Sequence, residues 1–284
     1  MSTDRRAARA ASTPSLIIGA TLLTLFVGAG LLSLVWTPAD PGEIDVAHRL
    51  APPGTSGHLL GTDGLGRDVL SMILAGARTS LTVAGAATLA AVVPGVLLGL
   101  LIAGSRRTFQ GFFSRVTDIG IALPGLLLAL VLATAIGPGT TTSIVAIITW
   151  FVPVATRVTI GPARQVLALD FVEAALAYGR SRRFVLFRHV LPNIGPLVLA
   201  QTSVMFASAI LLEAALSYLG VGTQPPTVSW GRMLNDAQHF IGLSTYLIIP
   251  PGLAIVTAVL GFNFLSDGLR AWLDPQSRTK AVAA

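Results

Sequence analysis

Apolar and polar positions along this chain come in blocks rather than in short alternation. Leu16–Trp36 carries no charged side chain. At about 1.5 Å per helical residue it is long enough to cross roughly 30 Å of hydrocarbon. Comparable runs cover Thr79–Ala103, Ile119–Ile136, Ser143–Ile160, Leu197–Leu216 and Leu247–Leu265. The pattern predicts an all-α membrane protein with six transmembrane helices. A cleaved signal peptide is the rival reading of the first run, because Arg5, Arg6 and Arg9 precede it. That run exceeds a usual apolar region of about 7–15 residues, and no small-residue cleavage site follows closely. Pro94 and Pro124 fall within the second and third spans. Such kinks are tolerated because neighbouring helices satisfy the freed carbonyls.

Composition supports the membrane reading. Of 284 residues 53% are hydrophobic and 11% charged, against about 25% charged in a soluble domain. The net charge of +6 points away from nucleic acid, because a binder of that class carries its charge on a soluble face. Here the charge is a matter of topology. All 19 Lys and Arg except Arg49, Arg67, Arg78 and Arg232 fall on the side of the termini. The positive-inside rule makes that side cytoplasmic. The chain then divides into a cytoplasmic tail (1–15), the first transmembrane helix (16–36), an extracytoplasmic loop (37–78), a five-helix core (79–267) and a cytoplasmic tail (268–284). The core includes a basic loop, 161–195. There is no Cys, so disulfides and thiolate metal sites are excluded. The only Lys is Lys280, so a phosphate-binding loop ending in G-K-[ST] is impossible. If ATP drives this protein, another chain hydrolyses it.

The basic loop holds the candidate chemistry, within Asp170–Pro192 (DFVEAALAYGRSRRFVLFRHVLP). Asp170 with Glu173 three residues later fits an Asp variant of the capping box. Phe171, Ala174, Ala175 and Tyr178 then share one face of a short helix, and Gly179 suits the left-handed position that ends it. Ser181 can cap a second helix, with Phe184, Phe187 and Leu191 on one face, before Pro192 stops it. A first helix of this length is marginal alone in water. Its apolar face needs a partner, either this protein's own bundle or another chain. For Glu173 the capping role alone explains an acid. Elsewhere, Asp63, Arg67 and Asp68 sit close enough in the turn after His58 to pair locally. Glu213 lies in an apolar segment where an acid is costly, as a pore-lining or helix-pairing group or as a structural helix-end acid.

Glu173-Ala174-Ala175, Gly179 and then His189-Val190-Leu191-Pro192 resemble the EAA loop of bacterial ABC-importer permeases. His189 matches one branch, the C-type permease subunits of dipeptide, oligopeptide and nickel importers. Two more blocks resemble that branch: Gly61-Thr62-Asp63 with Gly66-Arg67-Asp68, and Leu216–Gly220 through Pro225-Pro226 to Ser229-Trp230-Gly231. The uncharged Ala168-Leu169 departs from it. The resemblance runs from about Gly61 to Trp272.

The resemblance implies a type I ABC-importer permease fold with a cytoplasmic coupling helix, in a multi-pass protein of the bacterial inner membrane. It implies ATPase-coupling roles for Glu173, Ala174, Ala175, Gly179, Leu191 and Pro192. The implied partners are a homologous B-type permease, one or two ABC ATPase subunits that bind ATP and Mg, and an extracytoplasmic solute-binding protein. No cofactor and no catalytic residue are expected in this chain, a transporter subunit rather than an enzyme. Di- or oligopeptides are the implied solute, with nickel or haem as alternatives within the family. A self-sufficient secondary transporter would want ionisable groups inside the spans, where few occur, and a membrane scaffold would not explain three matching blocks.

Overall fold

In hydrocarbon an unpaired amide has no water to bond, so each apolar run closes its own hydrogen bonds as a helix. The computed structural model describes residues 2–55 and 57–273; the tail residues Arg278 and Lys280 lie outside them. Among the described residues five segments are long and apolar enough to cross a membrane. They belong to α1 (Ser2–Leu32), α2 (Val69–Ala103), α5 (Thr140–Leu167), α8 (Leu191–Tyr218) and α10 (Ile249–Leu273). All five extend beyond the sequence boundaries at one end or both, α8 from Leu191 to Tyr218 and α10 as far as Leu273. The first helix continues back to Ser2 through the expected tail, α2 starts ten residues before Thr79, and α5 ends at Leu167.

The expected third span, Ile119–Ile136, is not one helix. It is split between α3 (Arg107–Ala122) and α4 (Gly125–Ile136), which meet at 81°. The break falls at Leu123-Pro124, both extended. A residue before proline is pushed out of the helical region, and proline itself then starts the next helix well. At 12 residues, α4 is about 18 Å long, too short to span the hydrocarbon alone. The stretch between the second and third apolar runs, 104–118, is mostly the first three turns of α3.

Among the described residues the helices enclose a small buried cluster of Ala129, Ala146 and Leu216 and two more extensive ones. The larger is built on Met72, Phe151, Ile210, Trp230 and Phe262. Phe26 of α1 joins it, its ring 5.2 Å from Trp230 and 6.4 Å from Phe262. The smaller of these two contains Val96, Leu100, Ala163, Val172, Val185 and Val190, and lies where α2, α5 and the start of α8 converge. Helices α2 and α5 approach closely because Gly95 faces Ala155 and Gly99 faces Thr159. A Cβ at Gly95 would stand 2.5 Å from that of Ala155, so small residues set the spacing, as in membrane helix pairs generally.

The two ends of the bundle differ. At one, loops 33–68 and 219–248 fold over the helices, and the second loop contains α9 (Trp230–Ala237). The Trp230 indole donates to the Ile73 carbonyl (3.0 Å), and the Tyr246 hydroxyl donates to the Ala51 carbonyl (2.9 Å). At the other end lies the basic loop.

Candidate functional site

The basic loop folds as two helical pieces around a glycine, as its sequence predicts, but the details shift. The first piece is α6 (Asp170–Ala177). Its N-cap is Leu169, with no side-chain cap bond, so the capping box built on Asp170 does not form. The chain enters the helix one residue early. Asp170 and Glu173 stand in the first turn instead, where negative charge meets the positive end of the helix dipole.

The buried face also differs from the expected one. Val172, 1% exposed, is the only fully buried residue of α6, and it sits in the core cluster of Val96 and Leu100. Ala175 is half-buried beside it, while Phe171, Glu173, Ala174 and Tyr178 are exposed. The chain's own bundle therefore takes one narrow edge of α6 and leaves the rest free. Glu173 has no hydrogen-bonded or ion-paired side-chain partner among the described residues.

The end of α6 follows the expected design. Gly179 has φ +78°, its N–H donates to the Leu176 carbonyl (2.9 Å), and the Arg180 N–H reaches back to Ala175 (3.1 Å). This is the paired bonding of a Schellman cap, which needs a left-handed residue. The Ser181 hydroxyl then accepts from the Phe184 N–H (3.2 Å) and caps α7 (Arg182–Val185).

Pro192 does not stop the second piece. The chain passes from α7 through a π-helical turn, Leu186–Val190, straight into α8, with Pro192 in its first turn. Proline carries no N–H, and the widened π turn before it, where the Leu191 N–H donates to the Leu186 carbonyl, takes up the interruption. The Asn193 side chain donates to the His189 carbonyl (2.7 Å) across the wide turn. Val185, Leu186 and Val190 are buried and Leu191 half-buried, which ties the loop to the fifth apolar run. On the surface, the His189 ring lies edge-on to Phe171 (6.0 Å) and Phe184 (5.6 Å), and Arg180 stacks over Phe184 (5.0 Å). The structure thus brings α6, Gly179 and Leu191-Pro192 together at one end of the bundle as a ridge of aromatic and basic side chains.

Glu213 lies far from that ridge. It is fully buried, with the Ser217 hydroxyl donating at 2.7 Å, Thr223 at 3.2 Å and Ser80 of α2 at 3.4 Å. Ser217 in turn accepts from the Thr223 N–H (2.9 Å). One carboxylate thus joins α2, α8 and the loop that follows α8.

The loop-rich end also holds a cavity of about 400 Å³, lined by Arg49, Leu65, Met72, Arg232, Met233 and Phe240 among others. Its wall carries a chain of alternating charges. Asp63 pairs with Arg67 (2.6 Å), Arg67 with Asp236 (3.2 Å), and Asp236 with Arg232 (3.1 Å). The local Asp63–Arg67 pair was legible; Asp68 instead caps α2 through Ser71 (2.7 Å) and meets His58 (2.9 Å). The link from Arg67 to Asp236 was missed, although the four-residue spacing of Arg232 and Asp236 on a helix was a usable signal. Outside the helices, Asp45 accepts from His48 (2.6 Å), and that hydrogen bond holds its carboxyl below the ordinary value.

Residues 95–279 match the family described as binding-protein-dependent transport system inner membrane component. The chain is 38% identical over 270 residues to the di/tripeptide transport system permease protein DppC of Pseudomonas aeruginosa, covering 93% of this chain and 89% of the relative. It is 35% identical over 263 residues to the dipeptide transport system permease protein DppC of Alkalihalophilus pseudofirmus, covering 93% and 86%. Among solved structures, a chain of the MetNI methionine ABC transporter in an inward-facing conformation matches with a TM-score of 0.60 and 16% identity. The match covers 69% of this chain and 93% of that one, and it shows a shared fold. On the family match and the full-length relatives, this chain belongs to the binding-protein-dependent transport system inner membrane components, the multi-pass permease subunits of ABC importers.

Proposed function

We propose that this permease subunit carries di- or oligopeptides, that its basic end faces the cytoplasm, and that α6 couples it to separate ATPase subunits. The observation that carries the solute reading is the likeness to di/tripeptide and dipeptide permeases over 93% of the chain. Placement of the basic end in the cytoplasm rests on the charge asymmetry between the two ends. The coupling role rests on the shape of the basic loop. A short helix that buries only Val172 fully and Ala175 in part offers Phe171, Glu173, Ala174 and Tyr178 to a neighbour. Ala174 and Ala175 allow that neighbour a close approach, Gly179 fixes the exit angle, and Leu191-Pro192 fasten the loop to α8.

In this reading a homologous B-type permease completes the path. One or two kinds of ATPase subunit bind ATP and Mg on the cytoplasmic side, and an extracytoplasmic binding protein delivers the solute to the loop-rich end. This chain has no ATPase site of its own. Closure of the ATPases on ATP moves α6 as a rigid body, and the π turn and α8 pass that motion to the spans, a two-state switch biased from another chain.

The test is ATP hydrolysis by the complete importer in proteoliposomes with its binding protein. Dipeptides should stimulate hydrolysis severalfold, and nickel or haem should not. Stimulation by nickel or haem but not by peptides would overturn the solute reading while leaving the coupling role standing.

A further inference from the structure

The helix α3 has three distinct faces. At about 100° per residue, Gln110, Phe113, Ser114, Thr117, Gly120 and Ile121 share one arc, and these are its buried or half-buried positions. Gln110 fastens that face to the end of α2, donating to the carbonyls of Ala103 (2.9 Å) and Ser105 (2.8 Å). A second arc carries Phe109, Phe112, Val116 and Ile119, all exposed, with Phe112 63% and Ile119 67% open. The third arc carries Arg107 and Arg115 with Asp118, and Arg106 precedes it. Asp118 is taken by Arg157 of α5 (3.4 Å). Arg106, Arg107 and Arg115 are exposed and have no carboxylate partner among the described residues.

The depth of α3 follows from its neighbours. It starts beside Ala103, at the basic end of the bundle, and reaches Arg157 at Asp118. Gly120 then lies against Pro153, and Gly125 of α4 against the ring of Trp150. The helix therefore climbs obliquely along α5 from the basic end toward the middle of the membrane. Its arginines are concentrated at the shallow end, and its aromatic and aliphatic arc runs inward beneath them. A helix with an open apolar face and a flanking cationic face suits the boundary between headgroups and acyl chains, and arginine stems of this length reach phosphate from below it.

We infer that α3 is an interfacial helix whose Arg106, Arg107 and Arg115 bind anionic phospholipid headgroups of the leaflet at the basic end, with Phe109, Phe112, Val116 and Ile119 among the acyl chains. The choice of a lipid rather than a protein surface rests on charge: three guanidinium groups without a carboxylate partner among the described residues border an apolar face at membrane depth, and anionic headgroups above acyl chains present the complement in the same order. The inference depends on membrane placement alone and is indifferent to the solute.

The absence of Cys makes single nitroxide labels on this chain simple to place. In the complete importer, with cysteine-free partner subunits in phosphatidylglycerol–phosphatidylcholine vesicles, labels at F112C and V116C should be relaxed by oxygen far more than by a water-soluble nickel chelate. A label at R115C should show the reverse order. Spin-labelled phosphatidylglycerol should associate with the native importer severalfold more than phosphatidylcholine does, and the R106Q/R107Q/R115Q variant, still assembled by size-exclusion, should lose that preference. A label at F112C shielded from both relaxants would assign the face to a neighbouring permease, and one relaxed by the nickel chelate would assign it to a water-filled path. Either result overturns the inference, as does an unchanged phosphatidylglycerol preference in the triple variant.

Discussion

The two ends of this bundle are built on opposite principles. At the loop-rich end the chain satisfies itself. Glu213 collects three hydroxyls from α2, α8 and the following loop, Arg67 bridges two acids, and Trp230 and Tyr246 bond back to distant carbonyls. At the basic end α6 buries only Val172 fully and Ala175 in part, while Glu173 and four arginines of the loop, Arg180, Arg182, Arg183 and Arg188, are exposed without ionic partners among the described residues. Polar groups fixed by partners within the chain define architecture. Charged and aromatic groups left open on a firmly capped short helix define a surface meant for something else.

The contrast is broken most severely at Glu213. Replacing it by Ala removes the shared acceptor of Ser80, Ser217 and Thr223 and leaves a cavity. The cost should be about 3 kcal/mol, from unsatisfied buried hydroxyls and lost packing. Thermal melting of the purified protein should show it, together with faster proteolysis of the loop after α8. Glu213→Gln keeps an acceptor and should cost less than half as much. If Glu213→Ala melted like the native protein, the hub would have no structural weight.

Val172→Ala should act at the other end and only there. Losing the buried methyls costs about 2 kcal/mol, a large share of what holds α6 to the bundle. ATPase retention in pull-downs should fall while the global melting temperature stays within error, because α6 opens locally. A global shift equal to that of a core substitution would mean that the basic end is not an independent unit.

Gly179→Val is milder for stability and sharper for function. A β-branched residue at φ +78° costs about 1–1.5 kcal/mol through the backbone. No atom stands within 4 Å of the added Cβ, so the penalty is conformational rather than steric crowding. The variant should insert and assemble normally yet hydrolyse ATP without proportionate uptake. Native coupling in this variant would remove the exit angle of α6 from the mechanism.

What the sequence made legible follows the same division. Long apolar runs announced their helices because the membrane leaves no alternative for the backbone. Gly179 and Ser181 announced their caps because those roles are local. The break at Leu123-Pro124 escaped because hydropathy averages over it, although the proline and the phenylalanine and arginine arcs of Arg107–Asp118 were in view. At the start of α6, entry at Leu169 rather than Asp170 was settled by packing of Val172, which no capping rule contains. Ser80, which joins Glu213 to α2, and Asp236, which meets Arg67, lie 133 and 169 residues away in sequence. Such pairings depend on how helices are arranged in space, and a single chain read in order does not encode that arrangement locally.

The smallest effect should come from a polar contact at the loop-rich end that faces water. His48 donates to Asp45 at 2.6 Å, and both side chains are nearly half exposed. That hydrogen bond lowers the Asp45 pKa below its ordinary 3.8. A carboxyl depressed in the folded state adds stability that is fully present above its unfolded value and fades as pH falls through the folded one. Melting curves between about pH 5 and pH 2 should therefore show a slight loss assignable to Asp45, and His48→Ala should remove that component while leaving the neutral-pH melting temperature almost unchanged. The contrast with Glu213 is the point of the measurement. Both acids take hydrogen bonds from neighbouring side chains, but solvent shares the work at Asp45 and is excluded at Glu213. If His48→Ala destabilised the protein as much as Glu213→Ala, burial would not be what separates an architectural acid from an incidental one.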